Sequence, residues 1–118
     1  MQKMNSYQKG RWGEKIAQEY LQKKGYKILA TNYKTRGAEV DILAQDSNEL
    51  VAVEIKSGNQ VEENVGEKVA THKKQKIEQA VEEFLYRQGI ANIPVRFEVI
   101  CISSEGGIHH YCEEFLDF

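Results

Sequence analysis

Residues 38–44 read Ala38-Glu39-Val40-Asp41-Ile42-Leu43-Ala44, and residues 50–56 read Leu50-Val51-Ala52-Val53-Glu54-Ile55-Lys56. Successive side chains of a strand point to opposite faces, so each stretch predicts a strand with one apolar face. In the first strand that face carries Val40, Ile42 and Ala44, and the other carries Glu39, Asp41 and Leu43. In the second strand it carries Val51, Val53 and Ile55, and the other carries Leu50, Ala52, Glu54 and Lys56. The two stretches predict neighbouring strands inside a sheet.

The connection Asp46-Ser47-Asn48 has the composition of a tight turn. A hairpin centred on Ser47 and Asn48 places Asp41 across from Glu54 and Glu39 across from Lys56. Directly opposed residues have Cβ atoms roughly 5 Å apart, which is close enough for two carboxylates to share a divalent cation. The pattern therefore predicts an acidic pair on one face, with Lys56 beside it.

This residue set suits metal-dependent hydrolysis of a phosphodiester. Asp41 and Glu54 are candidate ligands of Mg²⁺ or Mn²⁺, and the Lys56 ammonium is a candidate for positioning the attacking water. The alternative is a solvent-facing sheet surface on which Glu39 and Lys56 form a weak cross-strand ion pair. Helices usually cover both faces of a βαβ unit, and buried acids need a counter-charge, so we favour the metal site.

The rest of the chain predicts an α/β fold with a mixed sheet. Apolar residues at helical spacing predict a first helix over residues 10–24, ended by Gly25, and a second over residues 67–88, ended by Gly89. Between them lies a three-stranded antiparallel meander, and a further strand follows the second helix, giving the order αβββαβ plus a terminal hairpin strand. The predicted strands outside the central pair are residues 26–33, 95–102 and 108–115. The strand–helix–strand connection predicts that the strands it joins are parallel.

Glu14 lies on the first helix at the border of its apolar stripe, beside Leu21. One interpretation is an acid that reaches over the sheet edge and serves as a further metal ligand or catalytic helper. The other is an acid favoured near the helix start by the macrodipole, and the sequence leaves both open. Trp12 and Tyr20 lie on the apolar stripe itself, which predicts core packing.

The 118 residues predict a single domain, 1–118, with a core large enough to need no disulfide. The start of the chain has no secretory signal and no apolar run is long enough to span a membrane, so we expect a cytoplasmic protein.

Residues 1–76 carry 14 Lys and Arg against 10 Asp and Glu, whereas residues 77–118 carry 2 against 8. The basic part predicts a phosphate-facing surface, with ordinary solvated charge as the alternative. Its candidate DNA contacts are Lys9, Arg11, Arg36, Lys73 and Lys76.

His109, His110 and Cys112 lie across a turn from Cys101 and raise the question of a zinc site. Alternation puts His110 and Cys112 on one face and His109 on the other, and no C-x-x-C pair is present. We therefore predict ordinary strand residues here, with Cys101 in the core.

The ordered motifs resemble a known family over nearly the whole chain. They are Gly10-Arg11-Trp12-Gly13-Glu14-Lys15-Ile16-Ala17, Gly25-Tyr26, Asn32-Tyr33, Glu39-Val40-Asp41-Ile42-Leu43, Val53-Glu54-Ile55-Lys56, Val69 with Lys73 and Lys76, and Arg96-Phe97-Glu98-Val99-Ile100. This arrangement resembles the bacterial YraN family, which is similar to archaeal Holliday junction resolvases and to the restriction-endonuclease-like PD-(D/E)xK superfamily.

The resemblance implies a restriction-endonuclease-like core and an endonuclease acting on DNA, including branched or damaged DNA, with Mg²⁺ or Mn²⁺. It implies that Asp41, Glu54 and Lys56 form the nuclease triad and that Glu14 is an acidic helper and metal ligand. A symmetric four-way junction as substrate would favour a homodimer. The alternative is a non-catalytic module that binds nucleic acid or protein on a nuclease scaffold.

Overall fold

The computed structural model describes residues 5–57 and 71–115, except for the side chains of residues 6, 71–73 and 113–115. In chain order the elements are α1 (Ser6–Lys23), β1 (Lys27–Thr35), β2 (Ala38–Asp46), β3 (Glu49–Ser57), α2 (Thr71–Gln88), β4 (Val95–Ile102) and β5 (Ile108–Phe115). Residues 58–70, which include the first turn of the predicted second helix, lie outside the described residues.

The strands form one mixed sheet in the order β1-β2-β3-β4-β5. β3 and β4 are parallel, and the other neighbouring strands are antiparallel. The predicted α/β fold with a mixed sheet is therefore confirmed, as is the parallel pairing of the strands that flank the second helix.

The ends of α1 follow from local hydrogen bonds. The Asn5 side chain accepts from the backbone N–H of Gln8, and the Gln8 side chain accepts from the backbone N–H of Asn5. This capping box starts the helix at Ser6, one turn before the predicted start. At the other end Gly25 has φ of +95° and the Tyr26 N–H donates to the Leu21 carbonyl, so glycine ends the helix as predicted.

The sheet separates two apolar cores, one under each helix. The α1 core contains Ala17, Leu21, Tyr26, Ile42, Ala44, Val51, Val53, Ile100 and Ile102, with Trp12 and Tyr20 packed against it as predicted. The α2 core contains Val40, Leu43, Leu50, Ala52, Ile77, Ala80, Val81, Phe84, Val95, Phe97, Val99 and Cys101. The helices thus cover opposite faces of the sheet. Among the described helices, neither is long and apolar enough to cross a membrane.

Candidate functional site

The β2–β3 hairpin has the predicted register. Asp46 pairs with Glu49 around a turn at Ser47 and Asn48, and the ladder continues to Ile42 opposite Val53. Asp41 and Glu54 are the next residues along the two strands. There the Asp41 carboxylate accepts a hydrogen bond from the backbone N–H of Ile55 at 2.8 Å, which fixes it beside the Glu54–Ile55 peptide.

The structure differs from the predicted alternation at Asp41. Val40 packs in the α2 core, whereas Ile42 and Ala44 pack in the α1 core, so the three do not share a face. The reason lies on the neighbouring strand, where Asn32 adopts the left-handed region with φ of 49° between the regular pairs Thr31–Ile42 and Tyr33–Val40. This irregularity turns Asp41 towards α1.

Glu54 and Lys56 lie on the opposite face from α1. In the parallel pairing Glu54 is beside Val99 and Lys56 is beside Cys101, and both of these neighbours belong to the α2 core. Glu54 and Lys56 are half-buried. The prediction that Asp41, Glu54 and Lys56 share one face therefore needs correction, because Asp41 has moved to the α1 side while β3 keeps its alternation.

Asp41 opens into a cleft between α1 and the ends of β1, β2 and β3. The cleft has a volume of about 1180 Å³. Its described lining residues, which define the Asp41 cleft, are Tyr7, Gly10, Arg11, Trp12, Glu14, Lys15, Gln18, Glu19, Gln22, Thr31, Asn32, Lys34, Glu39, Asp41, Ile55 and Ser57. Neither Glu54 nor Lys56 is among them.

Glu14 reaches from α1 over β1, which is the first of its two predicted placements. One of its carboxylate oxygens accepts from the Asn32 amide at 2.8 Å, and the other accepts from the Gln18 amide at 3.3 Å. Glu14 and Asp41 are both half-buried, whereas the other acids of the cleft, Glu19 and Glu39, are exposed. The structure thus brings together two of the four predicted catalytic residues, Asp41 and Glu14.

Basic side chains surround these acids at the surface. Arg11, Lys15 and Lys34 line the cleft and are exposed. Arg11 donates to the Tyr7 hydroxyl at 3.0 Å and stacks on the Tyr7 ring, 5.7 Å from its centroid. That hydrogen bond raises the pKa of Arg11, which therefore stays charged.

The other predicted DNA contacts are spread over the molecule. Lys9 is exposed on α1 and Arg36 is exposed in the β1–β2 turn. Lys76 is exposed on α2, on the other side of the sheet, and the Lys73 side chain lies outside the described residues.

A second polar cluster surrounds Glu98, whose side chain is completely buried. Its carboxylate accepts from Tyr26 Oη at 3.0 Å, Arg96 Nε at 3.1 Å, His110 Nε2 at 2.7 Å and Cys112 Sγ at 3.1 Å. We call these five residues the Glu98 cluster. Arg96 also binds Asp46, at 2.8 Å, and Glu49, so it connects the cluster to the β2–β3 turn.

These hydrogen bonds determine the charge state of the cluster. Burial alone would raise the pKa of Glu98, but the hydrogen bonds from His110, Cys112 and Tyr26 outweigh it and lower that pKa to about 2. Burial together with the Glu98 carboxylate raises the pKa of Tyr26 and of Cys112. The carboxylate is therefore ionised, while the phenol and the thiol keep their protons at neutral pH.

Within the described residues, Glu98, His110 and Cys112 form the only group of three potential metal-ligand side chains whose ligand atoms all lie within 4.8 Å of one another. Asp41, Glu54 and Glu14 do not form such a group. His110 and Cys112 share a face and Cys101 is buried on the other one, as predicted. Sequence reasoning missed Glu98. The available signal was a charged residue within the apolar strand Val95–Ile102, two positions after an arginine.

These features define an α/β protein with a five-stranded mixed sheet and a polar cleft beside its first helix. The profile of the uncharacterised protein family UPF0102 matches residues 13–102, and the chain belongs to that family. A UPF0102 protein of Carboxydothermus hydrogenoformans is 34% identical over 119 residues, covering 98% of this chain and 100% of its own length. A UPF0102 protein of Caldanaerobacter subterraneus is 40% identical over 103 residues, covering 85% of this chain and 83% of its own length. A UPF0102 protein of Clostridioides difficile is 38% identical over 98 residues, covering 82% of this chain and 86% of its own length.

Proposed function

We propose that this chain is a metal-dependent DNA endonuclease of the restriction-endonuclease-like, PD-(D/E)xK type, to which its YraN-like motifs point. The observation that carries the proposal is the position of Asp41. Its carboxylate lies where β2 and β3 end their regular pairing, inside a cleft that also holds Glu14. A break in a regular ladder that aims an acid into a cleft is typical of a functional position.

The donor set of the cleft suits Mg²⁺ or Mn²⁺. Both ions prefer carboxylate oxygens, and Mg²⁺ usually keeps several waters, so one or two protein carboxylates are sufficient. Asp41 and Glu14 are the residues that would hold the ion. Glu54, the third acid of the proposed set, follows Val53 at the same sheet end but lies on the α2 face, so its side chain must extend around the sheet end to reach the ion. A bound ion supplies Lewis-acid activation of the phosphodiester and of a water molecule.

The protein's own contribution is to position these acids and to bind the backbone of DNA. The Ile55 N–H holds the Asp41 carboxylate, and the Asn32 amide holds that of Glu14. Arg11, Lys15 and Lys34 can bind phosphates next to the acids. Lys56 is the candidate for orienting the attacking water, and in this role its side chain must reach around the sheet end from the α2 face.

A second candidate function is a non-catalytic nucleic-acid-binding module. The observation that favours it is the placement of Glu54 and Lys56 beside Val99 and Cys101, on the face away from the Asp41 cleft. On this alternative the cleft binds DNA through its basic rim, and Lys56 contributes nothing to any reaction.

A cleavage assay separates the two candidates. The parent protein is incubated with duplex, flap and four-way-junction DNA in Mn²⁺, in Mg²⁺ and in EDTA. We expect metal-dependent cleavage of at least one substrate, reduced at least about 100-fold in Asp41→Asn and in Lys56→Ala. Glu19→Gln is the matched control, because it removes an exposed acid from the same cleft, and it should cleave like the parent. DNA binding without cleavage would favour the second candidate.

A further inference from the structure

The Glu98 cluster has the donor atoms of a transition-metal site. Glu98 on β4 is directly opposite Cys112 on β5, and His110 follows two residues away on the same face. The pairing slips by one residue between Phe97 and Glu98, and this bulge brings Cys112 into register with Glu98. One carboxylate, one imidazole and one thiol therefore point into the same space.

The spacing of these atoms is close to that of a zinc coordination sphere. Glu98 Oε1 lies 2.7 Å from His110 Nε2, and Glu98 Oε2 lies 3.1 Å from Cys112 Sγ. Around tetrahedral zinc, with bonds of about 2.0 to 2.3 Å, neighbouring ligand atoms are roughly 3.3 to 3.8 Å apart. Small side-chain movements are enough to admit the ion between the three atoms.

Neighbouring side chains already support two of the three ligands, Glu98 and His110, from outside. Tyr26 and Arg96 donate to the Glu98 carboxylate and can keep these bonds when the ion replaces the contacts from His110 and Cys112. Tyr20 Oη lies 3.1 Å from His110 Nδ1, so a proton on Nδ1 has an acceptor and leaves the Nε2 lone pair for the ion. Outer hydrogen bonds of this kind usually orient metal ligands in proteins.

The positive charge of Arg96 is more than offset by its carboxylate partners. Arg96 contacts three of them, those of Asp46, Glu49 and Glu98. A soft thiol beside an imidazole and a carboxylate selects zinc over magnesium. Glu98 and His110 are shielded, whereas Cys112 is exposed, so an ion can reach the three side chains from the Cys112 side.

We propose that Glu98, His110 and Cys112 bind a zinc ion that links the edge strand β5 to β4. On binding, Cys112 releases its thiol proton to solvent, and the proton on His110 Nε2 moves to Nδ1, beside Tyr20 Oη. This site is separate from the Asp41 cleft and does not depend on the nuclease proposal.

The test is cobalt substitution in the full, untagged chain. Co²⁺ is added to chelator-treated protein, and the thiolate-to-cobalt charge-transfer band and the visible d–d bands are recorded. We expect a band that saturates at one equivalent and disappears when Zn²⁺ is added. Cys112→Ser should remove the thiolate band, and His110→Gln should weaken binding at least about 10-fold.

Three variants serve as controls. His109→Gln changes the exposed neighbour on the other face of β5, Cys101→Ala removes the other thiol, and Asp41→Asn alters the cleft. All three should keep the thiolate band at one equivalent. Saturating zinc should also raise the melting temperature of the parent and not that of Cys112→Ser. The absence of a thiolate band in the folded parent, or a band that persists in Cys112→Ser, would overturn the zinc site.

Discussion

The Asp41 cleft and the Glu98 cluster lie on the same side of the sheet, and both contact β3. Asp41, on β2, accepts a hydrogen bond from Ile55 of this strand, whereas Glu98, on β4, is beside Val53 and is connected through Arg96 to Glu49. Glu98 is fully buried and accepts hydrogen bonds from four different side chains. Asp41 and Glu14 are half-buried and open into a cleft with exposed cations around them.

Similar acids therefore have different tasks in the two regions. A buried, fully hydrogen-bonded carboxylate such as that of Glu98 stabilises the contacts between strands. Removing this carboxylate leaves Arg96 without one of its partners. A half-buried carboxylate beside open space contributes less to folding and can take an external ligand. Mutations should therefore separate stability from ligand binding.

The largest expected effect is on stability in Glu98→Gln. The substitution keeps the shape of the side chain but leaves the partly buried guanidinium of Arg96 facing a neutral amide. We expect the free energy of unfolding to fall by about 3 kcal/mol, measured by denaturant titration near neutral pH with EDTA present. In contrast, Asp41→Asn should change it by less than about 1 kcal/mol. If Asp41→Asn destabilises the protein as much as Glu98→Gln does, the two regions do not differ as described.

Low pH should also destabilise the protein through the Glu98 cluster. The folded-state pKa of Glu98 is lowered to about 2, so the folded protein holds this carboxylate ionised where the unfolded chain would protonate it. The stabilisation is complete above the unfolded pKa and is lost as the pH falls from about 5 to about 2. We expect a loss of the order of 2 to 3 kcal/mol in that window for the metal-free protein.

Glu98→Gln supplies the control for this pH dependence. Between about pH 5 and about pH 2, the free energy of unfolding of Glu98→Gln should fall by about 2 to 3 kcal/mol less than that of the parent, because the titrating carboxyl group is gone. Parallel pH profiles of the two proteins would show that Glu98 is not the responsible group.

A smaller effect is expected at Asn32, whose left-handed backbone accompanies the turning of Asp41 towards α1. Asn32→Ala should cost about 1 to 2 kcal/mol, because alanine is strained at a φ of 49° and loses the hydrogen bond to Glu14. Asn32→Gly relieves the strain and should cost clearly less. Equal losses in the two variants, measured by thermal unfolding, would indicate that the backbone conformation is not the cause.

The sequence predicted the elements well because they depend on local signals. The turn at Ser47 and Asn48 gave the register of β2 and β3, and Gly25 gave the end of α1. It did not predict the break at Asp41, because that break depends on the conformation of a single asparagine in the neighbouring strand. Helix α1 begins at Ser6 through a capping box that apolar periodicity does not detect.

Local pattern marks Glu98 as a charged residue within an apolar strand, but it does not predict the partners of this residue. Tyr26 and Glu98 are 72 positions apart in sequence, and the bulge that aligns Cys112 is visible only in the folded sheet. Alternation places His110 and Cys112 on one face of their strand. It does not show that Glu98, from the neighbouring strand, contacts both of them. Long-range pairing, rather than composition, assembles this cluster.

The proposed divalent-cation site of Asp41 and Glu14 in the cleft can be tested directly by calorimetric titration with Mn²⁺. The experiment compares the parent with Asp41→Asn, with Glu14→Gln and with the controls Glu19→Gln and Cys112→Ser. We predict that the first two lose at least about 10-fold in Mn²⁺ affinity while Glu19→Gln and Cys112→Ser bind like the parent. Unchanged Mn²⁺ affinity in both Asp41→Asn and Glu14→Gln would contradict the claim.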